Sequence, residues 1–263
     1  MKKILIFSAF ILASVSCSEE DDSFLVSDTD YFPLELENSW TYNNQLNSNT
    51  ESSQGVETLS INNQVRNRFS FSQVIDSQAG LFTNVLASGE VYKQSGNQEI
   101  IYDGNLNLAL DNNLQNFEFP LEDVILYDAN FTQGDVMFSN AGELQQNING
   151  FPVDFEYEIS SIHKGFLISE VVNNVTYEDV FVSEINISLS ASVFLVISDF
   201  SILQKQDVIK ITNYYAKDIG LIYSRVNTEI IFEDIPEQLN TEISDVNSTS
   251  TQNLISYSLS TNL

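Results

Sequence analysis

The two residue types that most often act as nucleophile or general base occur once each, as Cys17 and His163. A Ser-His-Asp arrangement would have to use His163, yet the chain has no G-x-S-x-G segment that would expose a nucleophilic serine. Zinc sites that need several histidines are excluded by the count. We expect His163 to be a surface residue beside the turn at Lys164–Gly165.

Acidic residues are the remaining source of chemistry, because the chain has 37 of them. Glu156 and Glu158 lie two residues apart and therefore share one face of a strand. Glycoside hydrolysis needs two carboxylates held about 5 Å or roughly 6.5–9.5 Å apart, which this spacing can provide. The polar face of any amphipathic strand gives the same spacing, so a glycan hydrolase remains an alternative and no catalytic residue is assigned.

A calcium site is the one cofactor site that the sequence suggests. Asp103, Asn105 and Asn107 place side-chain oxygens at alternate positions, as in the opening of a calcium-binding loop. Leu108 and Leu114 stand where such a loop needs glycine and glutamate. A hairpin turn entering a strand explains the same residues, so no metal is required.

Aromatic residues offer a possible ligand surface. Trp40 and Tyr42 are spaced by two and fall on one face of a strand, where they would either fill a core or stack on a ligand such as a sugar ring. Tyr214, Tyr215 and Tyr223 allow the same two interpretations. Aromatic residues at strand spacing are more often core than ligand platform.

The elements that would position these residues are strands. Val153, Phe155, Tyr157 and Ile159 alternate with polar residues, which is typical of a strand with one buried face. Further strand-like runs are Trp40–Gln45, Val56–Ile61, Arg68–Ile75, Glu99–Tyr102, Phe181–Leu189, Val193–Ile197, Val208–Tyr215 and Leu221–Phe232. Turns are expected at Ser95–Asn97, Asp103–Asn105, Gln133–Asp135 and Asn149–Gly150, and Asn112–Val124 is the least strand-like stretch. The pattern predicts an all-β, antiparallel fold: a strongly curved sheet, a partly open barrel or a sandwich.

The N-terminus reads as an export signal. Lys2 and Lys3 precede the apolar run Ile4–Val15, which is shorter than the roughly 20 residues of a membrane span and ends in small residues. The segment up to Cys17 resembles the lipobox of bacterial lipoproteins. That resemblance implies a diacylglyceryl group on the Cys17 thiol, removal of residues 1–16 and acylation of the new amino terminus, so that no free thiol remains.

An acidic run follows the cysteine directly, as Ser18, Glu19, Glu20, Asp21 and Asp22. Residues 17–30 should form a solvated, disordered tether, and 31–263 a single antiparallel β domain. The run resembles the surface-export signal of lipoproteins in one group of Gram-negative bacteria, which implies an outer-membrane protein on the cell surface; a periplasmic acidic linker is the alternative. The formal charge of −27 argues against nucleic acid as a partner.

Four segments along the body resemble motifs of small envelope lipoproteins of unknown function. They are DYFPLELENSWTY from Asp30, VTYEDVFVSEI from Val175, NYYAKDIGLIYSR from Asn213 and the closing QNLISYSLS. Glu37 and Asp218 stand where those proteins favour glycine, and both positions are expected to form tight turns. Tyr31–Leu34 should clamp the start of the domain.

The resemblance implies a lipid-anchored β protein acting as a non-enzymatic binding or structural module. A glycan, an apolar ligand or another envelope protein is the possible partner. A carrier of a lipid or other apolar ligand in a half-barrel cavity is the alternative.

Overall fold

The computed structural model describes residues 29–49, 51–94, 96–108, 117–148, 150–195, 198–234 and 244–260. Strands follow one another along almost the whole of this part of the chain, with one short helix after the third strand. Their bounds are β1 Ser39–Ser48, β2 Ser52–Val65, β3 Arg68–Asp76, α1 Leu81–Ala87, β4 Glu90–Tyr92, β5 Glu99–Leu108, β6 Phe117–Asp128, β7 Val136–Ile148, β8 Phe151–Val172, β9 Val175–Leu195, β10 Ser198–Ala216, β11 Gly220–Ile230 and β12 Val246–Ser258.

The strands form one antiparallel sheet in the order β6-β5-β4-β3-β2-β1-β12-β11-β10-β9-β8-β7. The first strand, β1, pairs with the last, β12, in the middle of this order. The sheet curls until it nearly closes into a barrel, with one unsealed seam between its end strands, β6 and β7. The predicted all-β antiparallel class is therefore confirmed, and among the expected forms the partly open barrel is the one adopted.

Alternation along the strands decides which side chains face the interior. In β8, Val153, Phe155, Tyr157 and Ile159 are buried, whereas the residues between them are exposed or partly exposed. Each fully buried aliphatic or phenyl side chain contributes about 1.5–3 kcal/mol relative to exposure. A register slip by one residue would turn this whole set toward water, which fixes the pairing.

The segment before β1 closes one end of the barrel. Tyr31, Phe32 and Leu34 are buried. The Phe32 ring lies 5.0 Å from that of Trp40, and the Tyr31 ring lies 5.7 Å from that of Phe181. The clamp expected at Tyr31–Leu34 is thus present. Thr29 and Asp30, which the sequence placed in the tether, are held against the domain.

Helix α1 packs on the inner side of the sheet and was not predicted. Phe82, Thr83, Val85 and Leu86 are buried, so most of this short helix is enclosed. Gln252 of β12 accepts hydrogen bonds from the backbone N–H groups of Phe82 and Thr83 at 2.9 and 3.3 Å. The buried Glu57 carboxylate accepts from the backbone N–H of Gly80 at 3.0 Å. These side chains satisfy donors at the helix start that would otherwise be unpaired.

Two predictions about local structure were wrong. Asp103–Asn105 is not a turn but lies inside β5, where Gly104 gives room for the Tyr102 side chain. Part of the stretch Asn112–Val124 is regular, since β6 begins at Phe117. The glycine turns at Gly134 and Gly150 are confirmed, with φ of 95° and 91°.

Candidate functional site

The predicted lipidation site and export signal lie outside the described residues. Cys17 and the run Ser18, Glu19, Glu20, Asp21 and Asp22 precede Thr29, where the described chain starts. Their assignments therefore stay predictions. Within the described part of the chain, no helix has the length and apolar character that a membrane span requires.

Trp40 and Tyr42 lie in the core. Both have zero exposure, and their polar atoms donate to backbone carbonyls: Trp40 Nε1 to Ile219 O at 2.6 Å, and the Tyr42 hydroxyl to Leu221 O at 2.9 Å. Tyr215 is also buried. This arrangement matches the core interpretation and leaves no ring face of these residues open for stacking on a sugar.

The prediction of a surface histidine was wrong, because His163 is only 1% exposed. Its ring packs edge-on against Phe181 at 4.6 Å, and neither ring nitrogen has a hydrogen-bond partner in the described structure. Burial lowers the pKa of His163 and so favours the neutral ring. The inward alternation that starts at Val153 continues without a break to His163, and the register shift of β8 comes only after it, between His163 and Gly165.

His163 belongs to a row of buried polar side chains that the sheet register assembles across six strands. Ser224 Oγ donates to Asn213 Oδ1 at 2.7 Å, and Gln252 Nε2 donates to Glu57 Oε1 at 2.9 Å. The row runs His163, Ser183, Asn213, Ser224, Gln252 and Asn44, each the direct cross-strand partner of the next. All six side chains are enclosed, and among them Gln252 holds the start of α1 through its contacts with Phe82 and Thr83.

The calcium candidates lie along β5 and do not form a loop. Asp103 Oδ2 accepts from Arg68 Nη1 at 2.8 Å, and Asn105 Nδ2 donates to Glu118 Oε1 at 2.6 Å. Asn107 lies two residues further along the same strand. Over the residues that the structure describes, no group of three or more His, Cys, Asp or Glu side chains is arranged to hold a metal ion.

Glu156 and Glu158 line a shallow acidic groove of about 350 Å³ on the outer face of β7–β10. Glu156 pairs directly with Glu143 of β7, and Glu158 accepts from Lys205 Nζ at 2.8 Å. The two carboxylates thus share one face, as the spacing predicted. The groove is open to solvent, and Lys205 neutralises part of its charge.

A larger groove is created by the tip of the β8–β9 hairpin. We call residues 167–180 the arm, because Val180 is paired with Ala216, the last residue of β10, and the hairpin continues past that point. The arm turns at Asn173 and Asn174, both left-handed with φ of 50° and 64°, as a two-residue hairpin turn requires. Asn173 Nδ2 donates to Leu254 O of β12 at 2.8 Å, so the arm crosses β10 and β11.

The arm groove is the open, concave space of about 660 Å³ that is lined by residues 175–179 of the arm, 217–219 of the β10–β11 turn and 255–257 of β12. Tyr177 forms a buried part of its wall, whereas Ile255 and Tyr257 are 49% and 46% exposed. The volume falls in the range of small-ligand sites, which combine an apolar lining with a few polar groups.

Carboxylates dominate the electrostatics of the arm groove. Glu178, Asp179 and Asp218 face one cation, Lys217, among its described lining residues. Burial, with added repulsion from Asp179 and Asp218, raises the pKa of Tyr31 to about 12, so this phenol beneath the groove stays protonated. Asp179 and Asp218 both have left-handed backbones, with φ of 51° and 56°.

Hydrogen bonds hold these carboxylate-bearing turns in place. Lys217 N donates to Asp179 O at 3.2 Å, and Asp218 N donates to Asp30 O at 2.6 Å. The arm groove therefore adjoins the point where the N-terminal segment reaches the domain. Sequence reasoning singled out Asp218 only as a turn residue. It missed Tyr177 and Asp179 of the arm and Tyr257 of β12, because the arm and β12 are far apart along the chain.

No protein-family model matches the chain, and no curated protein matches it. Among solved structures, the chain is similar to a crystal structure described as a "putative lipoprotein" from Parabacteroides distasonis ATCC 8503. The identity is 13% and the TM-score 0.34, over 86% of this chain and 99% of that chain. The likeness is too distant to assign a family or an activity.

Proposed function

We propose that this protein is a lipid-anchored cell-envelope protein that acts as a non-enzymatic binding module and holds a saccharide in the arm groove. The observation that carries this proposal is the contrast between a filled interior and an open groove in which carboxylates and a half-exposed tyrosine converge. No metal or cofactor is part of the proposal.

The chemistry of the arm groove suits a saccharide. Carboxylates such as Asp179 and Asp218 accept hydrogen bonds from vicinal hydroxyl groups, and hydrogen bonds to charged acceptors are the stronger kind. The exposed side of Tyr257 offers an apolar surface to the C–H face of a sugar ring, and its hydroxyl gives a further polar contact. A neutral or basic saccharide fits better than an acidic one, because the groove already carries an excess of negative charge.

The filled interior argues against the carrier alternative. The apolar void between Phe82, Leu126 and Ile211 has a volume of about 10 Å³, which is no more than one water molecule needs. An acyl chain would require the removal of α1 from the interior. The hydrolase alternative finds its carboxylates, Glu156 and Glu158, on an open strand face, where nothing excludes water from a substrate.

The location is proposed from the N-terminal sequence. Acylated Cys17 would anchor the chain to the outer membrane, and Ser18–Asp22 would direct it to the cell surface. Replacing Cys17 with Ala should release the protein from membranes on cell fractionation. Neutralising Glu19, Glu20, Asp21 and Asp22 should remove accessibility to external protease while acylation persists. A membrane-bound Cys17→Ala variant, or unchanged protease accessibility, would contradict the respective assignment.

The binding assignment is tested with the full-length protein in detergent and envelope polysaccharides purified from the producing cells. Tyr257→Ala should weaken binding about tenfold, since an aromatic contact contributes about 0.5–1.5 kcal/mol beyond its buried area. Phe200→Ala removes an aromatic side chain of similar exposure, 42%, away from the groove and should bind as the wild type does. Equal affinities for the two variants would refute the site. Release of reducing ends that Glu156→Gln abolishes would support the hydrolase instead.

A further inference from the structure

The unsealed seam leaves one long strand edge unpaired. Among the described residues, β7 pairs with β8 on one side only, and it is the last strand of the sheet. After a register shift between Val136 and Phe138, the pairing is regular from Ser139 to Ile148. This run of about ten residues extends for about 33 Å, and alternate residues direct their N–H and C=O groups away from β8.

The two edges of the seam differ in how they are protected. β6 carries Pro120, which cannot donate a hydrogen bond, and Asp123 with a left-handed φ of 54° that interrupts its regularity. The proline and the interrupted backbone both disfavour the pairing of another strand with β6. β7 has neither proline nor lysine and carries one charged residue, Glu143. The open edge of β7 is therefore suited to pairing, whereas that of β6 is not.

Among the described residues, no ladder joins β6 to the edge of β7. The Phe119 ring of β6 packs edge-on against the Tyr157 ring of β8 at 5.4 Å, so the two sides of the seam meet through side chains in the core. The outward residues of β7 stay exposed, including Ala141, Glu143 and Gln145.

Charge beside this edge indicates the chemistry of a partner. Glu143 on β7 and Glu156 and Glu158 on β8 line the acidic groove, and Lys205 is the one cation among the described residues of that lining. A strand added to β7 would lie about 4.8 Å from it and would bring its own outward side chains next to Glu143. Lysine or arginine at alternate positions of that strand would meet the carboxylates. A second copy of this chain is disfavoured, because both copies would carry a formal charge of −27.

We propose that β7 is a docking edge that accepts an extended, basic segment of a partner protein as an additional antiparallel strand. Main-chain hydrogen bonds to β7 give affinity, and lysine or arginine side chains against Glu143 and Glu156 give specificity. This interaction is separate from the arm groove.

The test uses the full-length protein in detergent with a synthetic ten-residue peptide of alternating lysine and threonine. A second peptide has the same sequence and charge, but alternate backbone nitrogens are methylated so that one edge cannot donate. Hydrogen–deuterium exchange should slow within 139–148 when the first peptide is added, and should be unchanged with the second. Glu143→Lys should weaken binding of the first peptide about tenfold. Glu51→Lys, the same charge change on the exposed turn between β1 and β2, should have less than twofold effect.

Four outcomes would overturn the proposal. The first is equal binding of the methylated peptide, which would mean attraction by charge alone, and the second is protection from exchange that appears outside β7. The third is protection from exchange that rises with protein concentration in the absence of peptide, which would mean self-association. The fourth is that the first peptide does not bind at millimolar concentration.

Discussion

Replacing Glu37 with glycine should stabilise the protein, because Glu37 holds a conformation that glycine adopts without strain. Its φ is 72°, in the turn that leads into β1, where Glu37 N donates to Ile61 O at 3.1 Å. A left-handed backbone costs a residue with a Cβ about 1–2 kcal/mol. Glycine loses about 0.5–1 kcal/mol more than alanine in chain entropy on folding. The expected net gain is about 0.5–1 kcal/mol, or roughly 2 °C in Tm for a domain of this size.

Urea unfolding of Glu37→Gly and Glu37→Ala separates the backbone effect from the loss of a carboxylate in a very acidic protein. Alanine keeps the Cβ and its strain, so only the glycine variant should gain the full amount. Asp218→Gly is a second comparison: its φ is 56°, but Asp218 Oδ1 also accepts from Asp30 N at 3.4 Å, so its gain should be smaller. A glycine variant at position 37 no more stable than the alanine variant would refute the strain argument.

Three further predictions concern the packed interior. Gly220→Ala should destabilise the protein by about 2 kcal/mol or more in urea unfolding, because φ is 110° and the new Cβ would lie 2.8 Å from Phe32 Cδ2. Burial lowers the pKa of His163, so below pH 6.5 the unfolded chain takes up a proton that the native chain does not, and the free energy of unfolding falls as pH decreases. His163→Phe should flatten this pH dependence of the free energy of unfolding between pH 7.5 and 5.5. Parallel curves for the variant and the wild type would count against this prediction. Lys93→Met should lower the free energy of unfolding by about 2 kcal/mol, because Lys93 Nζ lies 2.6 Å from Asp30 Oδ2 in a mostly buried pair and the variant leaves that carboxylate unpaired. In a double-mutant cycle, adding Asp30→Asn should recover much of this loss of stability.

The strands could be predicted because their signal is local. In β8, apolar residues alternate with polar ones where one face meets the core and the other meets water. That alternation survives without knowledge of the partner strands, so the antiparallel all-β class followed from it. The lead-in residues Tyr31 and Phe32 were recognisable for a similar reason, as a short apolar cluster before the first strand.

The errors arose where a local turn signal was misleading, or where an element was too short to show a pattern. Gly104 resembled a turn residue, but it lies within β5 and makes room for the Tyr102 hydroxyl. His163 looked exposed beside Lys164–Gly165, yet it lies in the inward phase of β8 and its ring packs among Phe166 and Phe181. Helix α1 has too few residues for a periodic signal, and its stability depends on Gln252, about 170 positions away.

Both proposed binding surfaces depend on tertiary structure. The arm groove combines three segments, 175–179, 217–219 and 255–257, that meet only because the arm crosses two strands to reach β12. The free edge of β7 exists because the sheet curls nearly closed without a ladder between β6 and β7 among the described residues. Neither the groove nor the free edge can be predicted from the local sequence pattern, since hairpin length and sheet closure depend on packing between distant strands.

The amino-acid sequence by itself determined the alternation that makes this chain a β protein, its single thiol and single imidazole, and its strongly acidic character. These are properties of single residues and their near neighbours, so they can be read without a fold. The structure decided what the acids and aromatics do. Trp40 and Tyr42 fill the core because the sheet curls around them, and Asp179, Asp218 and Tyr257 meet at an open groove because the arm reaches β12.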